Sequence, residues 1–363
     1  MRQATVFVMA NPVLVEALRG PAVESLHRGS IAVLDADAGV LLALGETQRP
    51  VYPRSAVKAL QALPLVESGA ADRLGLDDAE LALACASHRG EPRHTQAVSR
   101  VLTKAGLDAD ALECGIHWPY DEAAARALAA QGRRPSALHN NCSGKHAGFL
   151  CQACALGGDG DVRAFARGYV DREHPVMRAV TAALQAATGW DLAATPQGID
   201  GCSIPTYAIP LHHLALAFGR LGTGQGLAPG QARAAQRLRK AVAHEPFFVA
   251  GTDRFDTRVM ERLGERVFCK VGAEGMYCAA LPERGLGVAI KMDDGNTARA
   301  AEVVMAAAVE ALVPLGDEDR AFMHGLADVT LRNRNGIEVG ALRATRELRR
   351  ALAPIAAAIG AAR

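Results

Sequence analysis

Arg54-Ser55-Ala56-Val57-Lys58 places a serine hydroxyl and a lysine amine three positions apart, a spacing that can build a nucleophile and its base. Residues 55–63 are good helix formers, with Val57 and Leu60 making an apolar stripe and Pro53 and Pro64 punctuating the run. On a helix, positions i and i+3 share a face, so both side chains can point into one site. A lysine takes a proton from serine only when partly neutral, which burial, neighbouring cations and a helix N-terminus all favour. Ser-x-x-Lys alone recurs by chance, but two further pieces follow it in order. Ser87 stands in Cys85-Ala86-Ser87-His88-Arg89-Gly90, and Lys270 opens Lys270-Val271-Gly272 on a predicted strand. Serine hydrolases acylated at Ser-x-x-Lys use such a trio, although their second element is Ser-Asp-Asn, which this chain lacks. Gly272 would let substrate approach the strand backbone.

Two other segments carry chemistry. In His139-Asn140-Asn141-Cys142-Ser143-Gly144-Lys145-His146, Asn141 is expected to cap a helix whose first turn holds Cys142 and Lys145. A thiol at a helix N-terminus has a depressed pKa, which makes Cys142 a candidate thiolate. Gly198-Ile199-Asp200-Gly201-Cys202 reads as a turn presenting an acid and a thiol. Cys142 and Cys202 could hold zinc together, with Lys145 or His146 as a third ligand. Asp200 is either a turn former or a partner for a substrate ammonium. Gly144-Lys145 lacks the upstream glycine and following Ser or Thr of a phosphate-binding loop, so that reading fails. Cys151-Gln-Ala-Cys154 has redox spacing but lies within a helical pattern, and His212-His213 reads as structural. Asp253 and Arg258, beside Phe255, are weaker site candidates.

The elements that must position these residues follow from patterning. Residues 13–18, 23–27 and 31–44 read as strands within a strand-forming region 4–46, with a hairpin turn at 36–39. Helical periodicity runs through 92–105, 121–131, 142–156 and 231–243. Strand character returns at 266–280 and 285–292, followed by an alanine-rich helix at 296–312, a short strand near 336–339 and a terminal helix after Ala344. Strands fed from both ends around a helical middle imply an α/β protein of the α+β type, an antiparallel sheet with an inserted helical lobe. One domain of two lobes is expected, the sheet lobe at 1–52 and 265–363 and the helical lobe at 53–264. The catalytic cleft would then lie between them.

Composition narrows the function. The chain has 363 residues, 50% hydrophobic, with a formal net charge of +1, so nothing points to nucleic acid. No signal-peptide core or membrane-length apolar run is present, which makes the cytoplasm the expected location. Without a secretory signal the eight cysteines are not expected to form a disulfide framework.

Taken together, the chain resembles the rhizobial-type, thermolabile L-asparaginases, the asparaginase II family. The likeness covers nearly the whole chain. It is carried by NPVLVE (11–16), RGPAVESLHRG (19–29), YPRSAVKALQALPLVESGAAD (52–72), ASHRGEP (86–92), HNNCSGKHAGFL (139–150), GIDGCSIPTYAIPL (198–211) and KVGAEGMYCAALP (270–282). The resemblance implies a fold similar to serine β-lactamases and glutaminases. It implies hydrolysis of L-asparagine to L-aspartate and ammonia through a serine acyl-enzyme. Ser55 would be the nucleophile activated by Lys58, with Ser87 and Lys270 as a second pair. Arg54 and Asp200 match positions lining the substrate site. Zinc would be held by Cys142, Lys145, Cys202 and a water, without being essential to the chemical step, and the enzyme would be a homodimer. Rival readings are a glutaminase, a β-lactamase-like or peptidase-like amidase, and a non-catalytic protein that binds an amino acid or zinc.

Overall fold

The computed structural model describes residues 10–158 and 160–361, with side chains as far as residue 357. The strands are β1 (Val13–Arg19), β2 (Ala22–Asp35), β3 (Val40–Leu44), β4 (Gln197–Ile199), β5 (Pro205–Tyr207), β6 (Phe268–Val271), β7 (Met276–Leu281), β8 (Leu286–Met292), β9 (Asp328–Arg332) and β10 (Glu338–Ala344). Eight of them form one sheet in the order β6-β7-β8-β2-β1-β10-β9, with β3 also paired to β2, and every pairing is antiparallel. Both chain ends feed this sheet, and helices fill the interval between β3 and β6 apart from the small β4–β5 hairpin. The fold is the α+β arrangement expected, an antiparallel sheet with an inserted helical part. Residues 4–9 of the strand-forming region lie outside the described residues.

β2 organises the sheet. Arg28-Gly29 does not break it, as the expected 23–27 and 31–44 segments imply. There the strand hands over partners instead, from β1 (Arg28 opposite Val13) to β8 (Gly29 opposite Met292). β7 is buried at every position, because the helix Leu211–Thr223 and the helix Glu302–Leu312 both pack on it. That explains a sequence, MYCAAL, without polar alternation.

Two expectations at the sheet ends need correction. The 266–280 segment is two strands, because Glu274 and Gly275 adopt positive φ (58° and 69°) and turn the chain back, setting Val271 opposite Tyr277. The strand near 336–339 is longer, since Gly336 forms its turn and Gly340–Ala344 pair with β1, although Ala341, Leu342 and Arg343 are good helix formers. A further strand, β9, pairs with β10; its Asp-Val-Thr-Leu-Arg run alternates polar and apolar residues but is only five residues long.

In the helical part, the helix Ser143–Leu156 is the central element, buried at every position from Ser143 to Ala153. A helix enclosed on all sides needs small residues where neighbours come closest. At Gly144 a Cβ would lie 2.5 Å from both the carbonyl oxygen and Cγ of Leu83, at the end of the helix Asp78–Ala84. This contact sets the Ser143 helix against the chain that leads to Ser87. All eight cysteines are free thiols. Among the described residues, no helix is long and apolar enough to cross a membrane.

Candidate active site

Ser55 lies in a 3-10 turn, Arg54–Val57, that runs directly into the helix Lys58–Gln61. The tighter 3-10 winding brings positions i and i+3 nearly into register, which aligns Ser55 with Lys58. The helical run does not stop at Pro64 as expected. Pro64 occupies the first turn of the next helix, Leu63–Glu67, where a missing N–H costs nothing. Arg54, just before Ser55, has φ 51°, a left-handed conformation that a non-glycine residue holds only under constraint. Ser203, Asp253 and Glu274, also at positive φ, adjoin Cys202, Arg254 and Ala273, so four of the five non-glycine residues at positive φ among the described residues fall beside these segments; the fifth, Ala38, is in the β2–β3 turn.

β6 supplies the opposing wall. A Cβ at Gly272 would meet the Pro53 carbonyl oxygen at 2.7 Å and the Met276 Cβ at 2.7 Å. The small residue after Lys270 therefore serves the approach of the Ser55 turn to the strand. Gly272→Ala is expected to cost about 1–3 kcal/mol of stability by overpacking. A lowered Tm, with a fall in turnover as the Ser55 turn is displaced, would be the measured result.

Between these walls is a cleft of about 400 Å³ lined by Ser55 and Ser87, by residues 271–273, and by Arg89, Tyr120, Asn141 and Arg254. Its size suits a small-molecule substrate. The Lys58 amine, only 1% exposed, donates to the Ala86 carbonyl (2.6 Å), the Ser87 hydroxyl (2.9 Å) and the Cys142 sulfur (3.2 Å). Lys270, fully buried, donates to the same Ser87 hydroxyl at 3.0 Å and to the Val271 carbonyl at 2.9 Å. Ser87 is thus bracketed by both amines. Among the described residues no hydrogen bond joins Lys58 to Ser55, whose hydroxyl faces the same cleft. Burial pulls the Lys270 amine down to about 8, with the charge of Lys58 adding to the effect and Asp256 opposing it. A substantial fraction of this amine is therefore neutral near physiological pH.

Ser87 is held by its own backbone, Ser87 N–H to the Val249 carbonyl at 2.8 Å, and by His88 N–H to the Asn141 carbonyl at 3.2 Å. His88 is kept neutral, first by burial. Gly90 N–H donates to its Nδ1 (3.1 Å), so its Nε2–H is free to donate to the Ser143 hydroxyl (2.9 Å). This links the Ser87 segment to the helix carrying Lys145. The expected cap is not made: the Asn141 side chain pairs with His117, Asn140 Oδ1 accepts from Cys142 N–H at 2.8 Å, and no side chain caps the helix. The helix proper begins at Ser143, which leaves Cys142 at its N-cap.

Beside Lys58 lies a cluster of two thiols and an amine. Cys142, Lys145 and Cys202 are all buried, and Lys145 donates to the Cys202 sulfur at 3.1 Å. A hydrogen bond from Cys202 holds the Cys142 thiol well below the usual range; burial opposes it, and Lys58 and Lys145 reinforce it. Cys202 is pushed up in turn, first by its bond to Cys142 and then by burial. Burial alone would lower Lys145, but the charge on the two thiols outweighs it and holds the amine charged. Among the described residues no three His, Cys, Asp or Glu side chains gather as a metal cage. Two sulfurs and an amine, joined through Cys202, nevertheless match a zinc donor set, provided the amine gives up its proton on binding. The residues fit the ion. His146 instead bonds Tyr169 at 2.7 Å through its Nδ1.

Arg54 and Asp200 form an ion pair at 2.9 Å, tying the Ser55 turn to the Cys202 loop. Burial would raise Asp200, but Lys145 and Arg54 hold it below the usual carboxylate range. Four cleft residues escaped sequence reasoning. Arg89 and Asn141 sat inside segments already singled out, while nothing in the sequence marked Tyr120 or Arg254. Arg89 Nε is buried without a partner among the described residues, so an acceptor entering the cleft would satisfy it. Asp253 and Arg258 line a separate cavity with Glu302, which also touches Arg254.

Among solved structures, the protein called Mglu in its native form is similar over 80% of this chain and 66% of that one, with 15% identity and a TM-score of 0.33. In its tris and glutamate form, the figures are 80%, 61%, 16% and 0.31. The chain therefore spans less than two thirds of those proteins, and superposition this loose carries no argument about chemistry. No curated protein matches the sequence. The family comparison is of a different order: the L-asparaginase II model matches residues 15–344. With more than half its length accounted for in this way, the chain belongs to the L-asparaginase II family of amidohydrolases.

Proposed function

We propose that this protein hydrolyses L-asparagine to L-aspartate and ammonia through an acyl-enzyme on Ser55. The observation that carries the reading is the pair of buried lysines donating to Ser87 at 2.9 and 3.0 Å, in a cleft that also exposes Ser55. Ser55 Oγ attacks the side-chain amide carbon, and its proton passes to Lys58. Such contacts are often long without substrate and tighten in the complex. The tetrahedral intermediate collapses by breaking the C–N bond, and the leaving nitrogen takes a proton from the Lys58 ammonium to depart as ammonia. Water then attacks the β-aspartyl ester, with Lys58 or Lys270 accepting its proton and Ser55 recovering its own. Backbone N–H groups, that of Ser55 among them, would hold the oxyanion; loss of one such donor typically costs about 3 kcal/mol of barrier.

Arg54 and Asp200 are the candidates for the substrate's α-carboxylate and α-ammonium, and Arg89 offers a second guanidinium to the carboxylate. Zinc on Cys142, Lys145 and Cys202 would supply fixed positive charge beside the bound amino acid. On this reading Cys142→Ala raises KM with kcat nearly unchanged. Steady-state kinetics on the folded variant, with metal content measured alongside, checks this; an equal loss of kcat would contradict the role. A homodimer is part of the proposal, and light scattering of the purified protein tests it.

A second reading takes Ser87 as the nucleophile, because both amines donate to its hydroxyl and none to Ser55. The deciding experiment is ammonia release from L-asparagine and L-glutamine by wild type, Ser55→Ala and Ser87→Ala. Release from neither amide would overturn the enzymatic reading. Preference for glutamine would change the substrate alone, since one methylene is worth only about 1–3 kcal/mol of discrimination.

A further inference from the structure

Lys270 has a neighbour that the catalytic scheme does not use. The helix Phe255–Leu263 opens with Arg254 at its N-cap, facing the cleft, and carries Asp256 in its first turn, behind β6. Asp256 is 1% exposed. One carboxylate oxygen accepts from Val271 N–H at 3.2 Å and lies 4.0 Å from the Lys270 nitrogen. The other accepts from the Tyr277 hydroxyl on β7 and from the Cys269 thiol at 3.9 Å. A buried carboxylate bonded on both sides of a buried lysine fixes the strand and places a negative charge against the amine.

We propose that Asp256 is a positioning residue for Lys270, holding the strand in register with Ser87 and setting how firmly the amine keeps its proton. The inference rests on the reading of Lys270 as a working amine of this cleft. Besides Asp256, the groups facing Lys270 are Lys58 from the helix Lys58–Gln61, Cys142 ahead of the helix Ser143–Leu156, and Cys85 at the end of the helix Asp78–Ala84. Those facing Asp256 from its far side are Cys269, Tyr277 and Glu302. Asp256 is the nearest anion to Lys270 and opposes the downward pull of burial. Without its charge the amine loses its proton at lower pH. An opposite charge at this range is worth about 1–3 pK units.

The test uses the full chain and the variants Asp256→Asn, Asp256→Ser and Tyr277→Phe. Asparagine can keep the contacts to Val271 and Tyr277 while losing the charge. The rising limb of activity against pH, which follows deprotonation of Lys270, should move down by about one unit or more in Asp256→Asn. In Tyr277→Phe, which removes a contact but no charge, it should stay in place. The 13C signal of the lysine ε-carbon, assigned by its loss in Lys270→Met, should show the same displacement with no substrate present. This second readout tests Asp256 even if the protein releases no ammonia from asparagine, so failure of the functional reading is distinguishable. An unmoved Lys270 titration in a folded Asp256→Asn protein overturns the proposal, as does an equal displacement in Tyr277→Phe. A chain that folds with neither neutral side chain at 256 would make Asp256 a structural residue and overturn it as well.

Discussion

Ser55→Ala should reduce ammonia release from L-asparagine by about 10⁴- to 10⁶-fold while leaving the protein folded, the scale seen when a serine nucleophile is removed. The local chemistry makes the comparison unusually clean. The Ser55 hydroxyl has no hydrogen-bond partner among the described residues, so alanine strands no donor or acceptor. A Tm close to wild type is therefore expected. L-Aspartate should still bind, since the carboxylate and ammonium partners are untouched. The companion variant, Ser87→Ala, removes the acceptor shared by both amines. It should slow turnover strongly yet leave an acyl-enzyme that forms on Ser55 and can be located by peptide mapping. An acyl group mapped to residue 87 in Ser55→Ala, with turnover retained, would reverse the two serines' roles and favour the second reading.

The other large effect is expected at Lys58. Methionine there preserves the bulk of the side chain and removes the amine, and the loss of a positioned base typically costs 10²- to 10⁴-fold. Three contacts disappear at once, to the Ala86 carbonyl, the Ser87 hydroxyl and the Cys142 sulfur. Leaving the buried carbonyl unsatisfied costs about 1–3 kcal/mol. Lys58→Met should therefore melt somewhat lower but cooperatively, with kcat lost far more than KM. Lys58→Arg should not restore activity, because a guanidinium stays charged and cannot accept the serine proton. Recovery of near-normal kcat in the arginine variant would show that charge alone, not proton transfer, is what this position contributes.

Local spacing made the candidate site residues legible from sequence. Ser55 and Lys58 share a turn, Cys142 and Lys145 flank one helix start, and Gly272 follows Lys270, all features that helix and strand geometry impose over three or four residues. The strand, helix, strand, helix order likewise implied the antiparallel sheet and its helical insertion, because apolar periodicity reports which faces are buried. Where local cues were ambiguous the reading slipped. Asn141 is a favoured capping residue, yet the helix begins beyond it at Ser143, and 266–280 has strand-forming residues on both sides of Glu274-Gly275, which turn the chain back.

Long-range partners are a different matter, because which atoms meet across the fold is decided by packing. Lys58 reaches Ser87, 29 positions away, because Gly144 lets the central helix press against Leu83 and so sets the segment leading to Ser87. Lys270 meets the same hydroxyl across 183 positions because Gly272 admits the Pro53 carbonyl and brings β6 up to the Ser55 turn. Arg254 and Tyr120 at the cleft, and Asp256 behind Lys270, carry no local signature at all. Residue types and their short-range spacing were written in the chain; the sharing of one hydroxyl by two buried amines arises only once helix and sheet close on each other, since contact distances of about 3 Å are set by the packing of every layer between them.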